Sequence, residues 1–413
     1  MSGNGSGRRK LASFIDGFID ATASIGAPHI FQKWTAISLI SAALEEKVWI
    51  QTSRPVFPNQ YIFLVAHPGV GKTRIINEGK LLYNKLEKPH QAPTSAYFAS
   101  VVDALYESKR SILRQPEGEV SYNSMYITAD ELGAFMFKYD REMIAGLTAF
   151  YDTTPYQHRR RTNDINITIP SPQLNILSGS TPSNLLEFVP DIAWSQGFTS
   201  RIIMVFSDER VLVDDFSDSA PIITTDLVHD LKVISQLYGQ FHVTESFKEA
   251  VRTWLALGEP PIPTHPRLTH YVTRRKVHIY KLSMVASINR DNSLSLIEAD
   301  FIQAAKWLFE AEVFIEDIFK AGTGNPDAAA FNDIQHYIMI NDMGSGVSEQ
   351  RIVQFAQQRV PLQSILRVID IMERSGQIHC KRVDARTKVR YYSANSSMKT
   401  TGPTGSLLKS VGQ

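Results

Sequence analysis

The sequence predicts an α/β protein: a parallel sheet flanked by helices, followed by a helical region and a small winged-helix domain. Short apolar runs separated by helical patterns indicate buried strands, at residues 61–66, 125–128, 174–178 and 202–206. Residues 225–321 have an almost wholly helical pattern, apart from a Pro-rich interruption. Residues 327–393 then give three helices and two strands, which is the pattern of a winged helix.

The elements follow one another in a clear order. Residues 1–10 and 396–413 are rich in small polar residues and lack apolar periodicity, so we predict a disordered N-terminal arm and a disordered tail. Between them we expect three domains: an α/β core with N-terminal helices at 11–224, a helical lid at 225–322 and the winged helix at 327–395. In the first of these, the apolar positions before residue 45 recur at helical spacing, and residues 48–51 read as a strand.

The composition is that of an ordinary globular protein. Of 413 residues, 43% are hydrophobic and 21% are charged, and the length predicts two or three domains at about 150 residues each. The chain has 43 Lys and Arg against 42 Asp and Glu, a net charge of +1. The overall charge therefore indicates no class of partner, and any basic surface must be local.

Cysteine content and hydropathy indicate the cellular compartment. Cys380 is the single cysteine, which excludes a disulfide framework and a cysteine-based zinc cluster and suits a reducing compartment. The apolar runs are far shorter than the roughly 18–20 residues of a membrane span. No signal-type apolar stretch follows the basic residues 8–10. We therefore expect a cytoplasmic protein with no membrane segment.

A phosphate-binding loop is the strongest motif. Residues 66–73 read Ala-His-Pro-Gly-Val-Gly-Lys-Thr and match G-x-x-x-x-G-K-[ST] except at Ala66, where the pattern has glycine. In such a loop the backbone N–H groups and the following helix N-terminus surround the phosphates, Lys72 reaches the β- and γ-phosphates, and Thr73 binds Mg²⁺. The alternative is an ordinary Gly-rich turn. We predict ATP and Mg²⁺ as ligands, with nucleotide contacts from His67, Pro68, Gly69, Val70, Gly71, Lys72, Thr73 and Arg74.

Two acids follow the next core strand. Asp130 is predicted to hold Mg²⁺ together with Thr73, and Glu131 to orient and deprotonate the attacking water. An Asp-Glu pair after a strand is also common at a helix N-terminus, where acids are favoured. Downstream of a phosphate loop, the catalytic interpretation is the stronger one.

Two further residues complete the predicted catalytic set. Thr181 follows the third core strand and is the first candidate for holding the lytic water, with Ser180 as the second. The alternative is a turn that ends the strand before Pro182. Arg201 directly precedes the apolar strand at 202–206, so it is a candidate for a neighbouring subunit's γ-phosphate. The alternative for Arg201 is a surface residue at a strand start.

The lid offers a further candidate cation. Arg274 and Arg275 open a helical pattern, and either of them could contact the phosphates from the lid. We take Arg275 as the candidate ligand, with the choice between the two left open. Basic residues on an exposed helical face are the simpler explanation.

These motifs together resemble those of AAA+ ATPases. The phosphate loop, the Ala-Asp-Glu strand end, Ser-Thr-Pro at 180–182 and Ser-Arg-Ile-Ile-Met-Val-Phe at 200–206 occur in the order that family uses. The Ser200-Arg201 strand is similar to the arginine-finger strand of minichromosome maintenance helicases. Residues 57–201 also look like the ATPase module of phage and mobile-element replication proteins, which is often found beside a primase. The resemblance covers residues 25–320 and implies a hexameric ring that moves along or opens DNA.

A basic hairpin is the first candidate for DNA contact. Ile165, Ile167 and Ile169 alternate with polar residues, which predicts a half-buried strand after a turn at 162–164. Arg159, Arg160 and Arg161 would then lie on the other arm. In helicases of the resembled family, a hairpin inserted here points into the pore, where arginines match a phosphate backbone. The alternative is a solvated patch or a subunit contact.

The winged helix is the second candidate. Its third helix is predicted to present Gln363 and Arg367 to the groove, and its two-stranded wing to carry further cations, at Lys381, Arg382 and Arg386. Many winged helices instead pack against a partner or regulate their own ATPase.

The sequence thus leads to an ATP-hydrolysing DNA motor. We expect a ring-forming, hexameric replicative helicase of a phage or mobile element, acting in the host cytoplasm if viral. Its expected partners are single-stranded or forked DNA, with a separate primase or other replication proteins as further candidates. The alternatives are an AAA+ helicase loader or DNA-remodelling ATPase, and an ATP-dependent origin-binding initiator.

Overall fold

Two compact units make up the chain, Met1–Gly322 and Thr323–Gln413, and each has its own hydrophobic core. The computed structural model describes residues 7–92, 97–114, 118–136, 140–160, 165–189, 197–214, 222–322, 331, 334–335, 337–339, 341–342, 344–357, 362–384 and 388–394.

The first unit is built on a mixed sheet. The strands described in this unit are β1 Val48–Gln51, β2 Pro55–Val56, β3 Tyr61–Val65, β4 Lys109–Arg114, β5 Gly118–Ala129, β6 Tyr156–Arg160, β7 Ile165–Ile169, β8 Pro172–Ser180, β9 Ile202–Phe206, β10 Gly239–Gln240, β11 His242–Val243 and β12 Ser295–Leu296. The main sheet has the order β4-β5-β8-β3-β9, with β5, β8, β3 and β9 parallel and β4 antiparallel at one edge.

The central strands are buried on both faces, which explains why they read as continuous apolar runs. Every residue of β3, β8 and β9 is buried. Val65, the last residue of β3, lies opposite Ser180 and Phe206, so the carboxyl ends of these strands meet at one edge. The prediction of an α/β fold with a parallel sheet is confirmed.

Helices cover the sheet. The described helices of this unit are α1 Phe14–Thr22, α2 His29–Leu44, α3 Lys72–Tyr83, α4 Phe98–Glu107, α5 Leu132–Phe135, α6 Arg141–Tyr151, α7 Pro182–Phe188, α8 Thr225–Ser235, α9 Glu245–Ala256, α10 Thr269–Val272, α11 Arg275–Asp291, α12 Glu298–Glu312 and α13 Ile315–Gly322. Helix α2 packs against β8, β3 and β9 and is buried almost all round, with Trp34 and Ile37 fully inaccessible. None of the helices in the described ranges has the length and apolarity needed to cross a membrane.

The edge strand β4 was not predicted from the sequence. Strand β4 pairs antiparallel with the first half of β5, which begins at Gly118, well before the apolar run at 125–128. Residues of β4 alternate between exposed and half-buried, and Arg110 and Arg114 occupy half-buried positions. A polar edge strand of this kind has no apolar run to reveal it.

Strands β6 and β7 form an antiparallel hairpin, with Arg159 opposite Asn166 and Arg160 opposite Ile165. Its base is aromatic: the Phe98 ring lies 6.0 Å from Tyr156 and 6.1 Å from His158, centroid to centroid. Gly146 makes room for this ring, because a Cβ there would lie 2.2 Å from Phe98 atoms. The hairpin base is therefore fixed by packing against α4 and α6.

The second unit contains α14 Glu349–Ala356, α15 Leu362–Arg374, β13 Val347–Ser348, β14 Ile378–Val383 and β15 Arg390–Ala394. Its strands pair in the order β13-β15-β14, and the described residues 331, 334–335 and 337–339 are also helical. Ile338, Ile365, Met372 and Tyr392 are among the residues that close its core. The described part of this unit therefore consists of helices beside a three-stranded antiparallel sheet, and its assignment as a winged helix stays a prediction.

Candidate functional site

The predicted phosphate-binding loop connects β3 to α3. Gly69 and Gly71 adopt φ of +86° and +91°, a region that residues with a Cβ rarely enter. A Cβ on Gly71 would also lie 2.8 Å from the Gly26 carbonyl oxygen, so both the positive φ and the lack of space require glycine at this position. Ala66, by contrast, is not among the residues with positive φ, which explains why alanine is tolerated at the position where the pattern has glycine.

Lys72 is held over the loop. It is the first residue of α3, and its Nζ donates to the Ala66 oxygen at 2.7 Å and to the His67 oxygen at 2.9 Å. Burial lowers the pKa of Lys72, and the Glu131 carboxylate partly offsets that shift. The ammonium group is therefore incompletely solvated and favours a nearby anion.

A cleft of about 480 Å³ opens beside the loop, at the carboxyl ends of the parallel strands. It brings together residues far apart in sequence: Lys72 and Thr73 from α3, Glu131 after β5, and Thr181 after β8. Pro68, Gly69, Gly71 and Arg74 line it as well. Polar groups converging on a cleft at this edge of an open α/β sheet are typical of a ligand site.

Several predicted ligands are placed differently. Asp130 lies one residue beyond β5 with an exposed side chain, but it is not among the described residues that line the cleft. His67 and Val70 are not among them either; the Val70 side chain is buried in the core, so only its backbone can serve the loop. No group of three or more His, Cys, Asp or Glu suited to a metal occurs in the described ranges.

Thr181 has a structural role in addition to its place in the cleft. It is the N-cap of α7, and its Oγ1 accepts the Asn184 N–H at 3.2 Å. The same hydroxyl lies 3.2 Å from Ser183 Oγ. Thr181 therefore both caps α7, as a turn before Pro182 would require, and lines the cleft, as a role in holding water would require.

Arg201 lies at the edge of the sheet formed by the amino ends of the parallel strands, opposite the edge that carries the phosphate loop. It precedes β9, whose five residues run parallel to β3. At about 3.3 Å per residue, that strand separates Arg201 from the loop edge by roughly 16 Å. Arg201 therefore cannot reach a phosphate on the loop of its own chain.

At that edge Arg201 shares a carboxylate with Arg274. An Arg201 Nη2 hydrogen bond and ion pair join it to Asp152 Oδ2, and Arg274 Nη1 donates to Asp152 Oδ1 at 3.0 Å. The side chain of Arg201 is 8% exposed, whereas that of Arg274 is 29% exposed. Asp152 gave no signal in the sequence, because an acid after a helix is common.

Arg275 corrects the expectation of a nucleotide ligand in the lid. Its guanidinium is fully buried and donates twice to Glu312, from Nε and Nη2, each at 2.8 Å. The backbone oxygens of Glu259 and Pro261 accept from its remaining donor groups. With all three nitrogens engaged inside the helical region, Arg275 is a structural residue rather than a nucleotide ligand.

The far wall of the cleft consists of residues that the sequence analysis did not single out. They are Gly26 and the segment after β9, namely Arg210, Val211, Leu212 and Val213. Gly26 has φ +74°, and a Cβ there would lie 3.1 Å from Val213 and 3.3 Å from the Val211 oxygen. The isolated Gly26 before α2 was a weak signal for this close approach.

The predicted DNA-binding residues fall into three groups. Arg159 is exposed on β6, and Arg160 is on the same strand. In the second unit Gln363 and Arg367 are exposed on α15, and Lys381 and Arg382 are exposed on β14, with Arg382 4.0 Å from the Tyr391 ring centroid. Two residues lie outside the described ranges, Arg161 and Arg386.

The exposed side of α15 is not purely basic. Arg374 forms an ion pair with Asp370 at 3.0 Å, and three apolar residues share the exposed surface, namely Leu362, Leu366 and Ile371. A face of this composition suits protein contact as well as it suits DNA.

The comparisons with known proteins do not assign the chain to a family. No family model matches the chain, and no curated protein matches it. Two features at opposite ends of the parallel strands are therefore the candidates for function: the cleft lined by Lys72, Thr73, Glu131 and Thr181, and the two arginines bound to Asp152.

Proposed function

We propose that this protein is an ATP-hydrolysing DNA motor with an AAA+ fold, in which ATP is bound between adjacent subunits of a ring. The observation that carries the proposal is the separation of two half-sites within one chain. Lys72 and Glu131 line a cleft at one edge of the sheet, and Arg201 lies roughly 16 Å away at the other. A complete site then needs the cleft of one subunit and the arginines of the next, a head-to-tail contact that closes into a ring.

Each side chain has a defined task in this proposal. The loop N–H groups and Lys72 bind the β- and γ-phosphates, and Glu131 takes the proton from the attacking water. Mg²⁺ held by Thr73 would neutralise charge on the phosphate oxygens. Asp130 does not line the cleft and would have to reach the ion through water. Thr181, which lines the same cleft, orients the attacking water, and the neighbour's arginine stabilises charge that develops on the γ-phosphate.

The hairpin supports DNA as the polymer along which the motor moves. Its strand β6 carries Arg159 and Arg160, and its base is packed firmly on the ATPase core, so movement of the core would move the arginines. Phosphate contacts of this kind give binding without sequence preference, as a motor requires. A replicative role in a phage or mobile element, with a separate primase as partner, is proposed from the family resemblance.

Single variants test the cleft. Lys72→Ala should abolish nucleotide binding, and Glu131→Gln should retain ATP while lowering kcat by about 10²- to 10⁴-fold, because only proton removal is lost. Fluorescent-nucleotide titration and steady-state phosphate release measure the two effects. Normal turnover in both variants would contradict the assignment of the site.

Mixing variants tests the shared site. Arg201→Ala should bind ATP but not hydrolyse it. Mixed in equal amounts with Glu131→Gln, it should recover activity at about a quarter of the interfaces, because each half-site is intact with a probability of about one half. Absence of any recovery, with mixed assemblies confirmed by pull-down, would show that Arg201 does not act on a neighbour.

Unwinding separates this proposal from its alternatives. A motor should separate forked DNA processively and lose that activity with Arg159→Ala. Hydrolysis that requires a partner helicase would favour a loader instead, and sequence-specific footprints lost with Gln363→Ala would favour an initiator.

A further inference from the structure

Asp152 is the common partner of two arginines that come from different parts of the chain. It follows α6, whereas Arg201 precedes β9 and Arg274 lies directly before α11. Asp152 Oδ2 binds Arg201, and Asp152 Oδ1 accepts from Arg274 Nη1 at 3.0 Å. Arg274 Nη2 makes a longer contact of 3.4 Å with Oδ2, the oxygen that also binds Arg201. The three side chains therefore form one charged group at the edge of the sheet opposite the phosphate loop.

The carboxylate is what allows the two guanidinium groups to lie side by side. Burial acts to raise the pKa of Asp152, but the hydrogen bonds and charges of Arg201 and Arg274 outweigh it and hold the pKa below its ordinary value. Asp152 is thus ionised at neutral pH. Without that charge, two adjacent cations would repel each other.

Two buried side chains that can carry a proton, His278 and Lys281, lie beside this group. His278 Nε2 lies 2.8 Å from the Ser200 oxygen, and its Nδ1 lies 3.3 Å from the Tyr151 hydroxyl. Burial lowers the pKa of His278 to about 3, so this ring is neutral. Lys281 Nζ donates to Asn59 and lies 4.3 Å from the Tyr151 ring centroid. His278 thus ties the residues before Arg201 and Asp152 to one buried helix, α11.

The two arginines differ in what they can reach. Arg201 is only 8% exposed, and its Nη1 donates to the Gly197 oxygen at 2.5 Å, so it braces Asp152 from the protein side. Arg274 is 29% exposed and lies on the solvent side of the same carboxylate. Of the pair, Arg274 is the one presented outward.

We propose that Asp152 is a positioning residue for ATP hydrolysis at the neighbouring subunit's cleft: it is fixed by Arg201 and in turn aims Arg274 toward the γ-phosphate. The inference rests on the proposed function and deepens it, because it names the residue that assembles the arginine half-site. Asp152 also ends α6 four residues before the hairpin strand β6 begins, so the arginine half-site and the DNA hairpin share one short connection.

Asp152→Asn tests the inference, since it keeps the side-chain shape and removes the charge. We expect kcat for ATP hydrolysis to fall by about 10²-fold, because small displacements of a positioned group cost rates of this order. KM for ATP should change by less than about 3-fold, because the cleft half of the site is intact. Asp152→Glu should recover part of kcat, and Glu249→Gln, which removes an acid from the exposed face of α9, is the matched control.

Mixing experiments distinguish positioning from a general loss of structure. Asp152→Asn mixed with Glu131→Gln should recover activity, since intact cleft and intact arginine halves then meet. Asp152→Asn mixed with Arg201→Ala should not, because both lesions lie in the same half. Recovery with Arg201→Ala, or a wild-type kcat in Asp152→Asn alone, would overturn the inference.

The outcome is separable from that of the proposed function. If Arg201→Ala hydrolyses ATP at the wild-type rate, the shared site itself is wrong. If Arg201→Ala is inactive while Asp152→Asn is normal, only the role of Asp152 fails.

Discussion

At the scale of single residues, Glu46 shows how burial sets protonation. It follows α2, has no exposed surface, and accepts hydrogen bonds from Ser171 Oγ at 2.9 and 2.8 Å. Burial raises the pKa of Glu46 to about 8, against the opposing effects of Ser171 and Arg114. The carboxyl group is therefore mostly protonated in the folded protein at neutral pH.

Glu46 should make the first unit less stable as pH rises. Between about pH 4.5 and 8 the folded state keeps a proton that the unfolded state has lost, so the free energy of unfolding falls as pH increases. Glu46→Gln mimics the protonated form and should stabilise the protein at pH 9 by at least about 1.4 kcal/mol, the value of one pKa unit, with little effect at pH 5.

Urea denaturation at the two pH values measures this difference. Glu249→Gln, an exposed acid-to-amide change, should behave like the wild type at both. Equal effects of Glu46→Gln at pH 5 and pH 9 would refute the elevated pKa.

Arg274 and Arg275 show that adjacent residues of the same type can have different surroundings. Arg274 and Arg275 are adjacent in the sequence, yet one is on an exposed carboxylate and the other is buried on Glu312. The difference is set by partners 122 and 37 residues away. No local pattern contains that information.

At the scale of elements, the β6–β7 hairpin is the best place to test DNA contact. Arg159 is exposed on β6, opposite Asn166, while Ile167 and Ile169 anchor the other strand in the core. Arg159→Ala should therefore remove a phosphate contact without unfolding the hairpin.

The expected result is weaker binding to single-stranded DNA of any sequence. The slope of log K against log salt concentration should fall by about one unit for the lost contact. Fluorescence anisotropy across a salt series measures it. Arg252→Ala is the control, since Arg252 is also an exposed cation and forms ion pairs with Glu245 and Glu249. An unchanged slope for Arg159→Ala would exclude the contact.

At the scale of the whole molecule, the two units have separate cores and should unfold separately. Ile338, Ile365 and Tyr392 belong to a core distinct from that of the first unit. All five tryptophans lie in the first unit's sequence, at positions 34, 49, 194, 254 and 307. Tryptophan fluorescence therefore reports on the first unit alone, while far-UV circular dichroism reports on both.

Urea titration should give different curves for the two probes, because the transition is not two-state. A chain ending at Gly322 should retain the fluorescence transition of the full chain and bind ATP. Coincident curves for the full chain, together with loss of the fluorescence transition on truncation, would show that the units are one cooperative structure.

The sequence alone determined the features whose information is local. The α/β class follows from β3, β8 and β9, since strands buried on both faces must read as apolar runs. The motif at 66–73 is contiguous, and positive φ requires its glycines Gly69 and Gly71, so the strand–loop–helix turn could be recognised without a structure, while phosphate binding there stays a prediction.

Only the tertiary structure decided which distant side chains meet. The edge strand β4 is too polar to signal itself, and Arg275 reads like its neighbour Arg274 until Glu312 is brought against it. Asp152 became part of a site only when folding placed it between two arginines. Contacts between residues far apart in the chain depend on packing, and a single sequence carries no periodicity or motif that records them.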